Sequence, residues 1–286
     1  PLILFLIRLD SNKLMILAFM TTPVMMQWVT IGKPLFLGEA AIAISYLLWK
    51  DSKSDYLLRL LVISIICAIS FKISSIIISL PIIIDIFLYL LNKNLLAFTV
   101  NKLIKDQRIV ISFLILFGIL ASRQYITGNF AYPLFTNYFN NDNLQIIDFA
   151  HYLKGYQRDG FFPINIFIPF RYGLILSGLG PGLLLIVFAS VYNLLLSNYS
   201  SVQEKNIYFI SLSQFFLLIF FCQGRGDYYL VPFILFVANS RNKDLIFFSS
   251  SKRIFLLITK ILIIVQFNII IISSWFSIYQ TGIIAF

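Results

Sequence analysis

Three titratable side chains near the middle of the chain have the spacing of one helix face. Asp148, His151 and Lys154 follow one another at three-residue intervals in the stretch IIDFAHYLKGY. Side chains three or four residues apart are neighbours on a helix surface, so this spacing predicts a short amphipathic helix. A carboxylate, an imidazole and an ammonium there can hold an anionic group and supply an acid or a base. The alternative is a solvated loop with local salt bridges.

The surrounding segment, residues 123–170, is long and rich in aromatic residues, Asn, Gly and Pro. A connection of this length without regular structure is usually functional. Its last ten residues, FFPINIFIPF, are apolar and interrupted by Pro163 and Pro169, which predicts a segment lying at a membrane interface. The residues predicted to form an anion-binding surface in and beside this segment are His151, Lys154, Arg158 and Arg171.

A second cluster that can bind an anion is the stretch QGRGDYYLVPF at 223–233. Arg225 lies in a very short turn between two apolar segments, and Tyr228 and Tyr229 are suited to a membrane interface. We predict that Arg225 contacts a lipid phosphate. The alternative is an ordinary turn residue.

Three further charges interrupt apolar stretches, where they are costly and usually have partners. Lys72 divides the apolar run 57–91, and we predict that it either binds an anion or extends its ammonium to the membrane surface. Glu39 lies at the start of a predicted helix, where a carboxylate suits the helix dipole. Asp85 lies near the end of another and is interpreted as structural.

The composition explains why such charges are informative. Of the 286 residues, 59% are hydrophobic and 12% charged, and the mean hydropathy is +0.90. Soluble domains are about 45–50% apolar and about 25% charged. In hydrocarbon the backbone must satisfy its own hydrogen bonds, so repeated apolar stretches predict helices. We predict an all-α fold: a polytopic transmembrane bundle of about nine or ten helices with one long extracytoplasmic loop, 123–170.

Apolar length and polar breaks give the predicted helices. They are 1–7, 14–29, 36–49, 57–71, 73–91, 109–122, 171–196, 207–222, 227–238 and 254–276. The run 57–91 is divided at Lys72 because it is too long for one span. No soluble domain is evident, so residues 1–286 are interpreted as a single transmembrane domain.

The net charge of +10 is interpreted as membrane topology and not as nucleic-acid binding, because the basic residues are scattered over many short loops. If residues 8–13 are cytoplasmic, the cytoplasmic loops carry twice as many Lys and Arg residues as the opposite loops. The lone His151 and the two cysteines, Cys67 and Cys222, predict neither a metal site nor a disulfide framework. GLGPG at 178–182 lacks the Lys and Ser/Thr of a phosphate-binding loop, which favours a helix start or close helix packing.

Two short stretches resemble signatures of one family. ITGNFAYPLF at 126–135 resembles the outer-loop GNPxYPF signature of the GT-C type membrane glycosyltransferases, with Phe130 where Pro is usual. GRGDYYLVPFILFVA at 224–238 resembles their late RY-x-L-P element, with Arg225 and Pro232 in register and extra residues between Arg and Tyr. The members concerned are bacterial relatives of protein mannosyltransferases and aminoarabinose transferases.

The resemblance implies a multi-pass enzyme of the bacterial inner membrane. It implies transfer of a sugar from a polyprenyl-phosphate-linked donor to a glycan, lipid or protein acceptor outside the cytoplasm, with membrane lipids as partners. Neither a cofactor nor a metal is expected. The family's catalytic acidic residue lies in a first outer loop without a counterpart here, so we expect an N-terminally truncated chain whose catalytic residue is unknown.

In this interpretation Arg225, with Lys72 or Arg171, neutralises the leaving lipid phosphate. Two other functions stay open. One is a transporter or flippase of lipid-linked glycans, and the other is a polysaccharide polymerase or ligase.

The distribution of basic loops predicts the sidedness of the chain. Single cysteines placed at Lys102 and Lys243 should be labelled only from the cytoplasm, and one at Asn141 only from outside, by an impermeant maleimide. Labelling of all three positions from the same side would contradict the assignment.

Overall fold

The structure is a computed structural model that describes residues 13–22, 35–131, 202–221, 230–239 and 260–268, with positions 180, 187, 191, 257, 258 and 271. Within these residues every regular element is an α-helix and no strand occurs. The all-α fold class is therefore confirmed for this part of the chain. Its contacts divide it into two compact units, residues 34–156 and residues 1–33 with 157–286. The interpretation as a single transmembrane domain stays a prediction.

The helices with defined bounds are numbered here in chain order. They are α1 Lys13–Met20, α2 Leu35–Ser52, α3 Asp55–Phe71, α4 Ser75–Asn92, α5 Leu96–Ile104, α6 Gln107–Thr127, α7 Val202–Phe221 and α8 Leu230–Asn239. By length and composition, α4 and α6 can each cross a membrane.

Helices α2 and α3 are joined by only two residues. Lys53 is left-handed, with φ of 53°, and its N–H donates to the carbonyl of Trp49 at 2.7 Å. Ser54 then caps α3 by accepting from the N–H of Leu57. A Cβ built on Gly38 would lie 3.2 Å from Cα and Cβ of Ala68, so the absent side chain lets the two helices approach closely. Because Gly38 is near the start of α2 and Ala68 near the end of α3, the helices are antiparallel.

The predicted break at Lys72 is confirmed. Helix α3 ends at Phe71, Lys72 is extended with φ of −146° and ψ of 104°, and α4 begins at Ser75. Helix α4 then continues through the buried Pro81, as the sequence predicted for 73–91. Proline is tolerated within transmembrane helices more readily than within soluble ones.

Residues 92–108, left as a connecting loop between the helices predicted at 73–91 and 109–122, contain the short helix α5. The predicted bounds 109–122 also fall short of the next helix, since α6 runs from Gln107 to Thr127. Asp106 caps its start by accepting from the N–H of Arg108, and Gly128 ends it in the left-handed conformation, with φ of 68°. Residues 123–127, assigned to the long loop, are therefore helical.

Two other predicted helices also need correction. The helix predicted at 14–29 ends at Met20, and the hydroxyls of Thr21 and Thr22 bond back to carbonyls of the last turn. The residue before a proline avoids helical angles, and Pro23 follows directly. In the stretch predicted as a helix at 171–196, Gly180 is not helical and has a φ of +78°, and the other described positions, 187 and 191, are helical.

The second unit is centred on α8, which is apolar on every side. Phe233 to Val237 are almost completely buried, as expected for a helix surrounded by protein. Aromatic contacts join it to α7, with ring centroids of Phe215 and Phe233 6.0 Å apart and those of Tyr208 and Phe236 6.4 Å apart. Both helices were predicted, at 207–222 and 227–238, with bounds displaced by up to five residues.

Gly180 and Gln266 form a close contact within this second unit. The Gln266 amide is fully buried and donates to the carbonyl of Ala18 at 3.2 Å and to the hydroxyl of Thr21 at 3.1 Å. A Cβ on Gly180 would lie 2.2 Å from Oε1 of Gln266. This contact favours close packing as the role of GLGPG.

Gly180→Ala should lower the free energy of unfolding by about 1–3 kcal/mol, because alanine is strained at positive φ and its Cβ would displace Gln266 from its hydrogen bonds. The control is Gly118→Ala within α6, where an added Cβ meets nothing within 4 Å. That change should be neutral or stabilise by up to about 1 kcal/mol. Reversible unfolding in mixed micelles measures both. Equal stability of the Gly180→Ala and wild-type proteins would show that the contact is not as tight as described.

Candidate functional site

Charged and polar groups gather at one end of the unit 34–156, which we call the Lys72 end. It comprises the start of α2, the end of α3, the start of α4 and the end of α6. Nζ of Lys72 lies 3.4 Å from Oε1 of Glu39, and their side chains are 13% and 2% exposed. A buried carboxylate needs such a partner, because desolvation of an isolated charge is costly.

This pair changes the interpretation of both residues. Glu39 is the fifth residue of α2, and the first turn of that helix holds no acidic residue. Its carboxylate pairs with Lys72 from a neighbouring part of the unit. Lys72 in turn is half-buried and held beside these helices.

Arg123 joins the same end from the last turns of α6. Its Nη2 donates to the carbonyl of Ser70 at 3.1 Å, with the carbonyl of Phe71 at 3.5 Å. These are among the last carbonyls of α3, which lack partners within the helix, so the guanidinium caps it. Nη1 of Arg123 is buried and has no hydrogen-bond partner within the described residues.

Two serine hydroxyls at the start of α4 are in the same situation. The hydroxyls of Ser74 and Ser75 are buried and make no hydrogen bond in the part of the chain that the structure describes. Buried polar groups are normally satisfied, so each such group calls for an explanation. Together with Nη1 of Arg123 they supply donors beside a helix N-terminus, an arrangement suited to an anion.

Residues 126–131, the described part of the signature-like stretch 126–135, follow Arg123 in the sequence at the end of α6. Gly128 takes the left-handed angle that ends α6, and the side chain of Asn129 accepts from the N–H of Ala131 at 2.9 Å. Gln124 accepts from the N–H of Phe130 at 3.0 Å. The Gly and Asn of the motif thus have a local structural role as a helix end and a turn.

The opposite end of the unit, which we call the Lys50 end, holds a second buried ion pair. Nζ of Lys50 lies 2.7 Å and 3.0 Å from the two carboxylate oxygens of Asp85, and the hydroxyl of Tyr46 donates to Asp85 at 3.0 Å. Asp85 therefore ties α4 to α2, which fits the structural role predicted for it.

Lys53, at the same end, lies between two aromatic rings. Its Nζ is 3.9 Å from the ring centroid of Trp49 and 4.6 Å from that of Tyr89. Burial, with a smaller contribution from the charge of Lys50, lowers the pKa of Lys53 to about 8. A lowered lysine pKa opposes folding while the amine is charged. Its stability cost should therefore be full below about pH 8 and decline as the pH rises toward the ordinary lysine value.

Two further ion pairs fix α5 and α6 to the start of α3. Arg59 contacts Asp106 at 3.1 Å, and Lys102 contacts Asp55. Asp106 also caps α6, so one carboxylate both caps the start of α6 and pairs with Arg59 of α3. The Lys50 end is thus stabilised by charges on all of these helices.

Of the residues predicted to bind substrate, the structure describes Lys72 alone. Arg225, Arg171, His151, Lys154 and Arg158 lie outside the described residues. Sequence reasoning missed Arg123 and the pairing of Lys72 with Glu39, because the alignment of separate helices is not visible in a spacing pattern. Among the described residues, no group of three or more His, Cys, Asp or Glu side chains could hold a metal ion.

The chain matches no known protein family, no curated protein and no solved structure. The GT-C resemblance therefore stays a prediction.

The Glu39–Lys72 pair should be strongly coupled. Lys72→Gln and Glu39→Gln each leave a buried charge without this partner and should destabilise by about 3–5 kcal/mol, whereas the double variant should recover much of the loss. The exposed Asp55–Lys102 pair is the control, and Lys102→Gln should cost less than about 1 kcal/mol. Additive effects of Glu39→Gln and Lys72→Gln in a double-mutant cycle would show that the two residues do not interact.

Proposed function

We propose that the chain is a multi-pass membrane protein of the bacterial inner membrane that transfers a sugar from a polyprenyl-phosphate-linked donor. The observation that carries the membrane part is the surface of α6. Its large apolar side chains are exposed over more than half of the helix circumference, up to 72% at Phe117. Of its described side chains, Ile109 alone is buried. Water would strongly oppose such a surface, whereas hydrocarbon does not.

The positions of the charges favour the same environment. In α6 no charged residue lies between Arg108 and Arg123, a rise of about 22 Å. Helix α3 carries none between Arg59 and Lys72, and α2 carries none between Glu39 and Lys50. An apolar band bounded by charges at both ends is typical of helices that cross a bilayer, although each of these bands is shorter than the hydrocarbon core of about 30 Å.

Aromatic residues at the Lys50 end fit an interface. Trp49 and Tyr89 pack edge to face with ring centroids 5.5 Å apart and contact the ammonium of Lys53. Trp and Tyr are enriched where a membrane meets water, and lysine is enriched on the cytoplasmic side. This supports the predicted orientation, in which residues 50–56 face the cytoplasm and the Lys72 end faces outward.

The transfer reaction is proposed from the Lys72 end and the sequence resemblance together. A lipid-linked donor needs an apolar surface for its tail and cations for its phosphate. The Lys72 end offers Lys72, Arg123 and the Ser74 and Ser75 hydroxyls beside apolar helices. In the family that the sequence resembles, charge develops on the leaving phosphate, so these donors would stabilise the transition state.

One observation favours a different function. In the Lys50–Asp85 pair, whose carboxylate also accepts from Tyr46, Asp85 lies seven residues before the end of α4, whereas Lys50 lies two residues before the end of α2. Ionisable groups at membrane depth often mark transport pathways. A transporter or flippase of lipid-linked glycans is therefore the second candidate.

Membranes from a producing strain should transfer labelled sugar from a polyprenyl-phosphate donor, and membranes from a deletion strain should not. Arg225→Ala should lower the rate by roughly one to two orders of magnitude, because charge-assisted bonds to the phosphate contribute about 1.5–3 kcal/mol. Arg225→Lys should recover part of the rate, since lysine lacks the planar fork of arginine. The control Lys260→Gln alters an exposed cation and should leave the rate unchanged.

If the Arg225→Ala variant is present at the normal protein level and transfers sugar at the wild-type rate, Arg225 does not bind the phosphate. If the producing strain transfers no sugar but still moves the polyprenyl-phosphate donor across the membrane, the chain is a flippase and not a glycosyltransferase.

A further inference from the structure

Helix α5 has an exposed surface with two unlike sides. Successive helix residues are about 100° apart, so Val100 and Ile104 lie about 40° from each other. Lys102 lies about 160° from both, and Lys105 lies about 140° from Val100 and about 100° from Ile104. Val100 and Ile104 are exposed, Ile104 by 66%. Thr99 is buried and marks the side that faces the rest of the unit. The exposed surface of the helix therefore has Val100 and Ile104 on one side, and the two lysines with the exposed ring of Phe98 between them on the other.

The cations around α5 are of two kinds. Lys102 is paired with Asp55, whereas Lys93, Lys105 and Arg108 are exposed and make no ion pair within the described residues. Arg108 lies in the first turn of α6, where the helix dipole disfavours a positive charge. Local helix stability therefore does not account for Arg108, and an external anion would.

The position of α5 indicates the nature of that anion. The helix connects α4 to α6, the two described helices that can each cross a membrane. A short helix between two spans lies at the membrane surface. A helix with one apolar side and basic residues opposite is typical of segments that lie along that surface.

We infer that the α5 face, defined as Lys93, Val100, Ile104, Lys105 and Arg108, docks on the headgroups of anionic phospholipids. Val100 and Ile104 enter the boundary of the acyl chains, while the three cations reach lipid phosphates. The inference rests on the membrane insertion in the proposed function and is independent of sugar transfer. Charge complementarity selects a lipid occupant of negative charge over a zwitterionic one.

Three cations at a membrane surface should produce a preference of roughly tenfold or more for anionic lipid. The probe is a bimane on Ile104→Cys, in a chain whose Cys67 and Cys222 are alanine, reconstituted in lipid nanodiscs. Spin-labelled phosphatidylglycerol should quench it at roughly one tenth of the concentration needed for spin-labelled phosphatidylcholine. A second reporter at Val100→Cys should respond in the same way.

The triple variant Lys93→Gln/Lys105→Gln/Arg108→Gln should reduce this ratio to about one. The control Lys13→Gln/Lys205→Gln/Lys260→Gln loses the same charge elsewhere and should keep the wild-type ratio. Equal quenching by the two lipids in the wild type, quenching by neither, or an unchanged ratio in the first triple variant would each overturn the inference.

A bimane on Phe117→Cys in α6 separates the two proposals. Suppose that an acyl-chain nitroxide quenches this reporter while the α5 reporters give one of the three overturning results named above. In that case the chain is in the membrane, and the α5 face does not bind anionic lipid. If the Phe117→Cys reporter is not quenched, membrane insertion itself fails, and the inference about α5 fails with it.

Discussion

The cost of placing a charge among apolar side chains is the constraint on which the unit 34–156 depends. Glu39 and Lys50 are eleven residues apart in α2, which is close to three helical turns, so they lie on the same side of the helix. Glu39 pairs with Lys72 at one end and Lys50 pairs with Asp85 at the other. Because a mismatched charge would be buried without a partner, the two pairs fix how far α2 can slide along its neighbours.

Close packing between α2 and α3 reinforces the same alignment. Gly38 is adjacent to Glu39, and its missing side chain lets α2 approach Ala68 near the end of α3. A displacement of α2 by one turn would place a bulkier residue against Ala68 and would also separate Glu39 from Lys72. Packing and ion pairing therefore favour one register, and the two-residue connection through Lys53 leaves little freedom for another.

The sequence predicted the elements of this unit better than their contacts. The break at Lys72 could be predicted because a single lysine in a long apolar run is a local signal. Its partner could not, since the neighbours of Lys72 depend on how α2 packs against α3. Helix α5 was missed because its nine residues lie in a segment with several basic residues, which was interpreted as a loop, although Val100 and Ile104 have helical spacing. The end of α6 was missed because Arg123 and Gln124 look like loop residues, whereas the left-handed Gly128 determines where the helix stops. Of the predicted binding residues, Lys72 alone lies within the described part of the chain.

The two ends of the unit differ in the kinds of buried polar groups that lack hydrogen-bond partners among the described residues, and this difference bears on where a ligand would bind. At the Lys50 end, Asp85 receives both the ammonium of Lys50 and the hydroxyl of Tyr46, and the ammonium of Lys53 contacts two aromatic rings. At the Lys72 end, Glu39 pairs with Lys72, and Arg123 binds the last carbonyls of α3. Nη1 of Arg123 and the hydroxyls of Ser74 and Ser75 have no hydrogen-bond partner among the described residues. Buried donors without acceptors are costly, and Nζ of Lys53 and Nε of Arg59 at the Lys50 end also lack hydrogen-bond partners among the described residues. At the Lys72 end the unmatched groups include two hydroxyls at the start of α4, where backbone N–H groups favour an anion. We therefore propose the Lys72 end as the location for the phosphate of a lipid-linked substrate.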